Sequence, residues 1–498
     1  MASPSALDLI ETVLDDGSWQ RWDEPIAVDP PDPAYAASLQ KARDRTGLDE
    51  SVVTGEGRIN GRRVAVLACE FGFLAGSIGV AAAQRLVRAI ERATDERLPL
   101  LASPTSGGTR MQEGTVAFLQ MVKITAAIGR HKAAGNPYLV YLRNPTTGGV
   151  LASWGSLGHV TVAEPGALIG FLGPRVYEAL YGDTFPAGVQ TAENLYEHGI
   201  VDAVVPPERI AEIADRALNV LAAPREGASD VDVAQVPLED LADIPAWDSV
   251  LRSRRPDRPG VRQLLRHAAR DVLPLHGTGA GESEPGLLLA LARFGDAPCV
   301  VLGQDRSRQM EGGRLGPAAL REARRGMRLA DELKLPLLTV VDTAGAALSV
   351  AAEEGGLAGE IARALADLVL LDAPTVCLML GEGAGGGALA LLPADRVLCA
   401  QHAWLSPLPP EGASEILHRT TGRAPEMAAA QGIRSLDLLE AGIVDRIVAE
   451  HPDAADEPEA YLDRLGLVLE REITALMRRD PSTRLAARLA RYRTLGST

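Results

Sequence analysis

Two distant stretches of this chain follow one pattern of residues, which suggests that the polypeptide contains the same domain twice. The stretches 137–171 and 374–408 each pass from an apolar strand through a polar turn to adjacent glycines and small residues. Other landmarks recur at a nearly constant offset: Leu98-Pro99 returns as Leu335-Pro336 (336 − 99 = 237), Gly148 as Gly386 (386 − 148 = 238), and Gly199-Ile200-Val201-Asp202 as Gly442-Ile443-Val444-Asp445 (442 − 199 = 243). The offset between the two halves changes by only six residues, from 237 to 243, which indicates a duplicated domain rather than a chance similarity. Two copies of one loop predict two similar sites, and hence chemistry on two different groups.

A chain of 498 residues exceeds what one hydrophobic core usually supports. We expect an N-terminal domain at 1–222, a linker at 223–285 that is rich in Asp, Arg, Pro and Gly and contains a short helix at 261–270, and a C-terminal domain at 286–498. In both domains predicted strands alternate with predicted helices, an order typical of α/β layers with mostly parallel strands. The predicted strands are 63–69, 98–103, 138–142, 159–163 and 201–205, then 299–302, 337–341, 375–380 and 396–399; the main predicted helices are 80–93, 115–134 and 462–479.

The charge balance and the cysteines narrow the function classes. A net charge of −16 argues against nucleic acid as a general partner, because phosphate backbones attract basic surfaces. All four cysteines lie in apolar runs without Cys-x-x-Cys spacing: Cys69, Cys299, Cys377 and Cys399. We therefore expect buried thiols in a reducing compartment, with neither a disulfide nor a zinc site.

The sequence also predicts the location of the protein. The N-terminus lacks the pattern of a signal peptide, and Glu70 and three glycines interrupt the apolar stretch 66–83, which argues against a membrane span. We therefore expect a cytoplasmic protein.

Glycine-bearing turns follow four of the predicted strands, where each strand passes into a helix. The four turns are Ser103-Pro104-Thr105-Ser106-Gly107-Gly108-Thr109-Arg110, Thr146-Thr147-Gly148-Gly149, Asp342-Thr343-Ala344-Gly345-Ala346 and Gly383-Ala384-Gly385-Gly386-Gly387-Ala388. At such positions backbone N–H groups are unpaired, and glycine lets a ligand oxygen approach them. Two amides directed at one oxygen form an oxyanion hole, in which one donor typically lowers a barrier by about 3–4 kcal/mol. Alternatively, the glycines only permit tight turns and close packing.

A dinucleotide-binding loop is one alternative interpretation of the second domain. Gly381-Glu382-Gly383-Ala384-Gly385-Gly386 matches Gly-x-Gly-x-x-Gly after a strand. The first domain lacks this match, and no acidic residue ends a second strand about twenty residues later, so the match alone is weak. No Gly-x-x-x-x-Gly-Lys-Ser/Thr sequence is present, which argues against an ATP phosphate loop.

A serine hydrolase is another alternative. Ser153 lies among small residues at a predicted helix start, as in self-compartmentalised serine proteases of this architecture. A nucleophilic serine needs a histidine base within hydrogen-bond reach. His159 is very close in sequence and His198 is far along, and neither has the spacing of those proteases; no Gly-x-Ser-x-Gly elbow occurs. The sequence therefore disfavours hydrolysis.

Arginines supply the candidate phosphate contacts. Arg110 lies with Glu113 at the start of a predicted helix, where it either orders the loop or faces a phosphate. The arginine-rich runs 252–258 and 321–328 could meet a coenzyme's phosphates, although exposed helix charge explains such runs more often.

At the glycine turns the sequence resembles a known family, the carboxyltransferase subunits of bacterial acetyl-CoA carboxylase. Residues 17–207 resemble the β subunit through 70–79 (EFGFLAGSIG), 106–114 (SGGTRMQEG) and Gly148-Gly149. Residues 317–448 resemble the α subunit through 342–346 (DTAGA), 381–390 (GEGAGGGALA) and 410–417 (PEGASEIL). These motifs are long, occur in order and together cover most of the chain.

Two departures from the family pattern have different consequences. The four-cysteine zinc ribbon with which the bacterial β subunit usually begins is absent, so no zinc is expected. Ala344 stands where the second half of the family usually has the proline of Asp-Thr-Pro-Gly. Loss of the proline ring loosens φ but leaves an amide donor, so we expect activity to be retained.

The resemblance implies two tandem crotonase (ClpP)-like domains and transfer of a carboxyl group from N-carboxybiotin to the α-carbon of acetyl-CoA, giving malonyl-CoA for fatty acid synthesis, or of another short acyl-CoA. By position, Gly148 and Gly149 would bind the thioester carbonyl, and Gly387 and Ala388 the ureido oxygen of biotin. Residues beside them would shape these oxyanion holes or bind substrate: Ser106, Gly107, Gly108, Arg110, Thr343, Ala344, Gly345 and Gly386. No side chain stands out as a base, which agrees with a biotin anion that takes the proton itself.

The sequence contains no Ala-Met-Lys-Met-like biotinylation site and no ATP-grasp signature. The resemblance therefore implies that biotin is supplied on a separate carrier protein, charged by a biotin carboxylase. It also implies at least a homodimer, because the family places the sites of the two halves together across a dimer interface. Two further interpretations stay open: a malonate or acyl-CoA decarboxylase component, which runs similar chemistry in reverse, and a non-catalytic scaffold.

Overall fold

The computed structural model of this chain describes residues 4–26, 30, 32–223 and 241–495. The chain divides into two units, Met1–Ala222 and Ala223–Thr498. Each unit combines one large mixed sheet with helices. Among the described residues, no helix has both the length and the apolar character needed to cross a membrane.

The first unit is built on a sheet in which β1, β2, β3, β4, β5, β7 and β9 lie side by side. Its strands are β1 (Gln20–Arg21), β2 (Val52–Ile59), β3 (Arg62–Cys69), β4 (Leu100–Ser103), β5 (Tyr138–Leu142), β6 (Thr146–Thr147), β7 (Val160–Ala163), β8 (Ile169–Gly170) and β9 (Ala203–Val204). Its helices are α1 (Ala6–Val13), α2 (Pro33–Thr46), α3 (Val80–Asp95), α4 (Gly114–Ala133), α5 (Gly148–Leu151), α6 (Pro174–Tyr181), α7 (Ala192–Glu197) and α8 (Ile210–Leu221). Pairing is antiparallel from β1 to β3 and parallel from β3 onwards, while β6 pairs with β8 separately.

The second unit repeats this plan with the sheet order β10, β11, β12, β13, β14, β15 and β17. Its strands are β10 (Ala269–Leu275), β11 (Leu287–Phe294), β12 (Ala297–Gln304), β13 (Leu337–Thr343), β14 (Thr375–Ala384), β15 (Arg396–Ala400), β16 (Trp404–Ser406) and β17 (Arg446–Val448). Its helices are α9 (Ala246–Ser253), α10 (Val261–Ala268), α11 (Arg306–Gly312), α12 (Pro317–Leu333), α13 (Val350–Glu354), α14 (Leu357–Val369), α15 (Gly385–Leu389), α16 (Pro410–His418), α17 (Ala424–Ala430), α18 (Ser435–Glu440), α19 (Pro458–Met477) and α20 (Pro481–Thr494). Again an antiparallel hairpin, β11 and β12, leads into parallel strands.

The register of the strands shows that the two units correspond residue by residue. Leu100 of β4 pairs with Tyr138 of β5, and Leu337 of β13 pairs with Thr375 of β14. Both members of the second pair lie 237 positions after the first (337 − 100 and 375 − 138). The duplicated α/β organisation expected from the sequence is therefore present in the fold.

Buried apolar residues explain why the central strands lie inside each unit. All residues of β5 are buried, as are those of β13, so helices must cover both faces of these parallel strands. In the first unit, α3 places Leu86 and Ile90 in the same apolar core as Leu100 and Val140. Strands enclosed in this way end at one edge of the sheet, where the glycine turns begin.

The segment 223–285 is more than a linker with one short helix. The helix predicted at 261–270 is observed as α10, other elements accompany it, and residues 224–240 of the expected linker lie outside the part of the chain that the structure describes. The segment contributes α9, α10 and β10 to the second unit. Arg254 forms an ion pair with Glu382 at 2.7 Å, and Arg258 one with Glu450 at 2.5 Å. The arginines that made the segment resemble an exposed linker are therefore tied to carboxylates of the second unit.

Candidate active site

The turn after β4 in the first unit is closed by a buried serine. The Oγ atom of Ser106 accepts a hydrogen bond from the amide of Gly108 at 3.0 Å. Gly108 has a φ of +106°, which glycine adopts without the steric cost of a side chain. The amide of Gly107 donates to the carbonyl of Ala75 at 2.9 Å. Ser106, Gly107 and Gly108 therefore shape the turn, and the next amide, that of Thr109, has no acceptor in the part of the chain that the structure describes.

The second unit builds the same turn after β13. The Oγ1 atom of Thr343 accepts from the amide of Gly345 at 3.2 Å, and Gly345 has a φ of +122°. Both residues lie 237 positions after their counterparts in the first unit (343 − 106 and 345 − 108). Ala344, between them, is partly exposed. Here the amide of Ala346, like that of Thr109 in the first unit, has no acceptor among the described residues.

A second turn, at the start of α5, lies directly against the first. Gly148 has a φ of +65°, and an ideal Cβ placed on it would lie 3.3 Å from the Cα of Gly108. Its amide donates to the carbonyl of Phe171 at 2.9 Å. This corrects the expected role of Gly148, because an amide that is already bonded is not available to a bound carbonyl in this conformation. The amide of Gly149, the second residue of α5, has no acceptor among the described residues, so this turn offers a donor at Gly149.

In the second unit the corresponding turn begins α15. Gly385 has a φ of +62° and is the first residue of its helix, as Gly148 is of α5. Gly148 therefore corresponds to Gly385, at the offset of 237 (385 − 148), and not to Gly386 as the sequence pairing suggested. Three consecutive glycines allow the sequences to be matched one residue out of step, and only the backbone conformation removes that ambiguity.

The helix start decides which amides of the second unit are free. Gly386 and Gly387 are the second and third residues of α15, where N–H groups have no partner within the helix. Ala388 is the fourth residue, at the position where the amide first pairs with the carbonyl of the N-cap, here Ala384. The expected role of Ala388 as a donor is therefore corrected in favour of Gly386 and Gly387. An ideal Cβ on Gly387 would lie 3.2 Å from the nitrogen of Ala346, so glycine leaves this amide accessible.

Arg110 is not a phosphate contact, because solvent does not reach it. Its guanidinium donates to both carboxylate oxygens of Glu50, at 2.5 and 2.9 Å, and to the carbonyl of Ser77 at 2.7 Å. Burial alone would lower the pKa of Arg110, but the hydrogen bonds and charge of Glu50 raise it above its usual value. Arg110 therefore orders the segment after Gly108 and keeps its charge while doing so.

Glu113 belongs to the same buried cluster. Its carboxylate accepts from the hydroxyl of Tyr35 at 2.5 Å and from the amide of Val80 at 2.6 Å. Burial, followed by this hydrogen bond to Glu113, raises the pKa of Tyr35 to about 12. The loop between Gly108 and α4 is thus held by the side chain of Tyr35 from α2 and by the backbone amide of Val80 at the start of α3.

The two arginine runs are largely engaged in internal contacts. In the first run, Arg252 donates to the carbonyl of Pro452 at 2.6 Å and Arg255 pairs with Asp456 at 2.8 Å. In the second, Arg321 pairs with Glu282 and Arg324 with Asp367, both at 2.6 Å. Neither run therefore presents the array of free cations that a coenzyme's phosphates would need.

A different arginine, which the sequence interpretation missed, lies at the second-unit turn. Arg314 is exposed, and no hydrogen bond or ion pair is found for it among the described residues. Its Nη1 atom is 3.7 Å from an ideal Cβ on Gly345. At the offset of 237 its counterpart is Ser77, which lies buried beneath Arg110 (314 − 77). A comparison of the two copies would have flagged this cation, since only the second copy carries it.

A buried carboxylate lies behind the second-unit turn. Asp342 accepts a hydrogen bond from the amide of Glu382 at 3.1 Å, and one of its oxygens is 4.0 Å from Nε of Arg306. Burial raises the pKa of Asp342 to about 6, although Arg306 and Arg258 oppose that shift. This acid therefore titrates closer to neutrality than an exposed aspartate does.

The two alternative motifs are not formed in the structure. Gly381, Glu382 and Gly383 lie inside β14 rather than in a turn, so the dinucleotide fingerprint has no loop with which to bind a pyrophosphate. The hydroxyl of Ser153 donates to the carbonyl of Gly149 at 2.5 Å. Nδ1 of His159 accepts from the amide of Tyr138 at 2.9 Å, so it is not directed at a serine as a base.

Comparison with known proteins decides the family. The profile described as the carboxyl transferase domain matches residues 6–485. This chain belongs to the carboxyl transferase family. Within that family, the chain is 65% identical to the probable biotin-dependent acyl-coenzyme A carboxylase beta3 subunit of Mycobacterium tuberculosis, over 490 residues that cover 98% of each chain. It is also 38% identical to the acetyl-coenzyme A carboxylase carboxyl transferase subunits beta/alpha of a Parafrankia species, over 99% of this chain and 86% of that protein.

Solved structures agree on the fold of this carboxyl transferase. The transcarboxylase 12S core superposes with a TM-score of 0.71 at 22% identity, covering 93% of this chain and 89% of the other. A single-chain, multi-domain long-chain acyl-CoA carboxylase gives a TM-score of 0.69 at 19% identity, over 92% of this chain and 46% of that chain. These likenesses confirm the expected α/β fold class with two tandem crotonase (ClpP)-like domains.

Proposed function

We propose that this chain is the carboxyltransferase component of a biotin-dependent acyl-CoA carboxylase. It would move the carboxyl group of N-carboxybiotin, carried on a separate protein, to the α-carbon of an acyl-CoA. The observation that carries this proposal is the pair of corresponding turns, each with amides that lack acceptors among the described residues: Thr109 and Gly149 in the first unit, and Ala346, Gly386 and Gly387 in the second. The names of the relatives that cover nearly the whole chain support it.

Carboxyl transfer requires negative charge to be held on two different oxygens. The amides of Thr109 and Gly149 would stabilise the thioester oxygen while the α-carbon loses its proton. The amides of Ala346, Gly387 and Gly386, the last being the counterpart of Gly149 (386 − 149 = 237), would stabilise the ureido oxygen of biotin while the carboxyl group leaves. In the balance of the reaction, an N–C bond breaks, a C–C bond forms, and the proton of the α-carbon passes to the nitrogen that lost the carboxyl group.

The assignment of the biotin side to the second unit is supported by charge. The first-unit turn has a buried and fully engaged arginine, Arg110. The second-unit turn has Arg314, exposed and without an ion pair among the described residues. Of the two ligands, N-carboxybiotin is the one that arrives with a carboxylate, and a guanidinium recognises a carboxylate well.

The acyl substrate is proposed as a short acyl-CoA, with acetyl-CoA among its members. The 65% identical relative is named for acyl-coenzyme A, whereas the 38% identical relative is named for acetyl-coenzyme A. With acetyl-CoA the product would be malonyl-CoA, a building block for fatty acid synthesis. A biotinylated carrier protein and a biotin carboxylase complete the proposed enzyme.

We also propose that the chain self-associates, at least as a dimer. Helix α4 exposes a row of large apolar side chains, each between 55% and 67% accessible: Val116, Phe118, Leu119 and Val122. Such a row on a monomer marks an interaction surface. Sedimentation should show dissociation of the Phe118→Asp, Val122→Asp double variant, whereas Leu370→Asp, which places a charge on an equally exposed leucine of the second unit, should leave assembly unchanged.

The deciding experiment is a carboxylation assay with labelled bicarbonate, ATP, a biotin carboxylase and its biotinylated carrier. Acid-stable label should appear in acetyl-CoA, propionyl-CoA or a longer acyl-CoA only when this chain is present. A fully carboxylated carrier with no labelled acyl-CoA of any length would overturn the proposal. Release of label from malonyl-CoA without a carrier would instead identify a decarboxylase.

A further inference from the structure

One buried glutamine links the two turns of the second unit. Gln304 is the last residue of β12 and is fully buried. Its Oε1 atom accepts a hydrogen bond from the amide of Asp342 at 3.0 Å, and its Nε2 atom donates to the carbonyl of Gly387 at 2.6 Å. A single side chain therefore contacts both the end of β13, which leads to Ala346, and the start of α15.

The strand pairing explains why Asp342 needs a side-chain acceptor. The pairing of β12 with β13 ends at Gly303 and Val340. The register between β13 and β14 shifts between Val341 and Thr343, so the ladder is interrupted at Asp342. A buried backbone N–H group that lacks a ladder partner must find another acceptor, and the Oε1 atom of Gln304 supplies it.

In the first unit the corresponding position holds a shorter side chain. Ala65 pairs with Leu100, and Val300 pairs with Leu337, so the last residues of β3 and β12, Cys69 and Gln304, occupy the same register position. Burial raises the pKa of the Cys69 thiol to about 11, and a hydrogen bond to the backbone of Thr105 opposes that shift. The side chain of cysteine has no amide group, so it cannot also donate a hydrogen bond to the start of α5 as Gln304 does to the start of α15.

A second glutamine strengthens the arrangement in the second unit. Oε1 of Gln309 accepts from the hydroxyl of Thr343 at 2.7 Å, and that hydroxyl accepts from the amide of Gly345 at 3.2 Å. The turn that ends at Ala346 is therefore fixed by Gln309 on one side and by Gln304 at its root.

We propose that Gln304 is a positioning residue that sets the distance between the amides of Ala346 and Gly387. The proposal has two parts. The catalytic part, that this positioning supports turnover, rests on the proposed function, because these amides are the donors assigned to the ureido oxygen. The structural part, that Gln304 fixes the two turns, rests on its two hydrogen bonds alone, so the two parts are tested separately.

The structural part is tested by hydrogen–deuterium exchange of the full-length chain. Gln304→Met keeps the length of the side chain and removes both hydrogen bonds, so exchange should rise about tenfold or more in peptides covering 340–347 and 383–390. Gln304→Glu keeps an acceptor for Asp342 but loses the donor to Gly387, so exchange should rise in 383–390 alone. Ser435→Ala removes a buried hydrogen bond elsewhere in the unit, to the carbonyl of Gln401 at 2.6 Å, and should leave both peptides unchanged.

The catalytic part is tested by steady-state kinetics in the carboxylation assay. Gln304→Met should lower kcat by about tenfold to a hundredfold, because small misplacements of catalytic donors have effects of this size. The KM for acyl-CoA should change less than about twofold, since that substrate is assigned to the other unit. Loss of active enzyme alone would also lower the apparent kcat at unchanged KM, so kcat is referred to the folded fraction of each variant. The positioning role further requires the KM for the carboxylated carrier to rise more than the KM for acyl-CoA, which loss of active enzyme does not produce.

The outcomes separate the two proposals. Wild-type exchange in both peptides of Gln304→Met overturns the positioning role whatever the activity. Raised exchange with an inactive wild-type chain supports the structural role and counts against the proposed function. Raised exchange with full turnover overturns the catalytic part. If Gln304→Met does not fold, Gln304→Glu decides the structural part: increased exchange in 383–390 alone supports the positioning role, and any other pattern overturns it.

Discussion

Arg110 donates to the two carboxylate oxygens of Glu50, at 2.9 and 2.5 Å, in a position from which solvent is excluded. The ion pair joins two segments that are 60 residues apart in the sequence. It holds the chain directly after Thr109, whose amide is one of the proposed donors. The order of the first-unit turn is thus set by a buried charge pair rather than by the glycines alone.

Removing one partner of this pair should destabilise the first unit strongly. Arg110→Met leaves Glu50 as an uncompensated buried charge, and such a loss typically costs about 3–5 kcal/mol of unfolding free energy. Chemical denaturation followed by a probe in the first unit measures it. Arg209→Ala, which removes an exposed ion pair with Glu212, serves as the control and should leave the midpoint unchanged. A midpoint for Arg110→Met equal to that of the control would contradict the role of the pair.

Gly148→Ala should separate backbone strain from crowding. The φ of +65° costs an alanine about 1–2 kcal/mol, and the new Cβ also lies 3.3 Å from the Cα of Gly108. Gly182→Ala is the matched control, because its φ is +76° and nothing lies within 4 Å of the new Cβ. Both variants should lose stability in denaturant, but only Gly148→Ala should lose turnover, by about tenfold or more. Equal turnover of the two variants would show that the close approach of the turns is unimportant.

Gly387→Ala should impair catalysis while leaving the fold intact. The added Cβ would lie 3.2 Å from the nitrogen of Ala346 and cover a proposed donor, so kcat should fall by about 10²–10³. Gly129→Ala, a helical glycine with open space around its Cβ, is the control and should keep full activity. Carboxylation rates and thermal melts of both variants make the test. Unchanged kcat in folded Gly387→Ala would remove this amide from the mechanism.

The stability of the second unit should depend on pH through Asp342. Its pKa is 3.8 in its ordinary state and about 6 when buried, so the folded state binds the proton more tightly than the unfolded state. The stability that this carboxyl group contributes is therefore present below pH 3.8 and lost as the pH rises through about 6.

Asp342→Asn should accordingly gain stability over wild type as the pH rises from 4 to 8, by at most about 3 kcal/mol. Denaturation at a series of pH values measures this. Asp257→Asn is a control with the opposite pH dependence. The hydrogen bond to Arg255 lowers the pKa of the exposed Asp257 carboxyl, so the stability lost in this variant should become smaller as the pH falls. A difference in unfolding free energy between Asp342→Asn and wild type that does not change with pH would refute the raised pKa of Asp342.

Arg314→Ala should weaken binding of the carboxylated carrier without affecting stability. Arg314 has no ion pair among the described residues, so its loss leaves nothing unpaired there. Loss of one charge-assisted contact should raise the KM for the carboxylated carrier about tenfold. Arg314→Lys should recover part of the loss, and Arg328→Ala, at another exposed arginine, should have no effect. An unaltered KM for Arg314→Ala would argue against a carboxylate at this position.

Local patterns were enough to predict the duplicated α/β plan. The strand at 138–142 was predicted at its observed bounds, and the predicted strand 337–341 lies within β13. Such strands are apolar throughout because they are buried on both faces, which gives a strong signal in the sequence. The strands β2 and β11, each antiparallel to both of its neighbours, were missed, as was α20, whose Arg488 is bonded to Asp395 at 2.7 Å. A helix that docks through buried charges looks like an exposed one in the sequence.

The sequence by itself determined that one domain occurs twice and that each copy carries glycine turns where strands end, because these properties depend on neighbouring residues. Only the tertiary structure decided which amides are free. The amide of Gly148 donates to the carbonyl of Phe171, 23 residues later (171 − 148), whereas at Gly387 it is the carbonyl that accepts from Gln304, 83 residues earlier (387 − 304), and the amide has no acceptor among the described residues. Burial of Arg110 was likewise decided by Glu50. Hydrogen bonds between distant segments depend on how the folded chain brings those segments together, and no local pattern of residues encodes their partners.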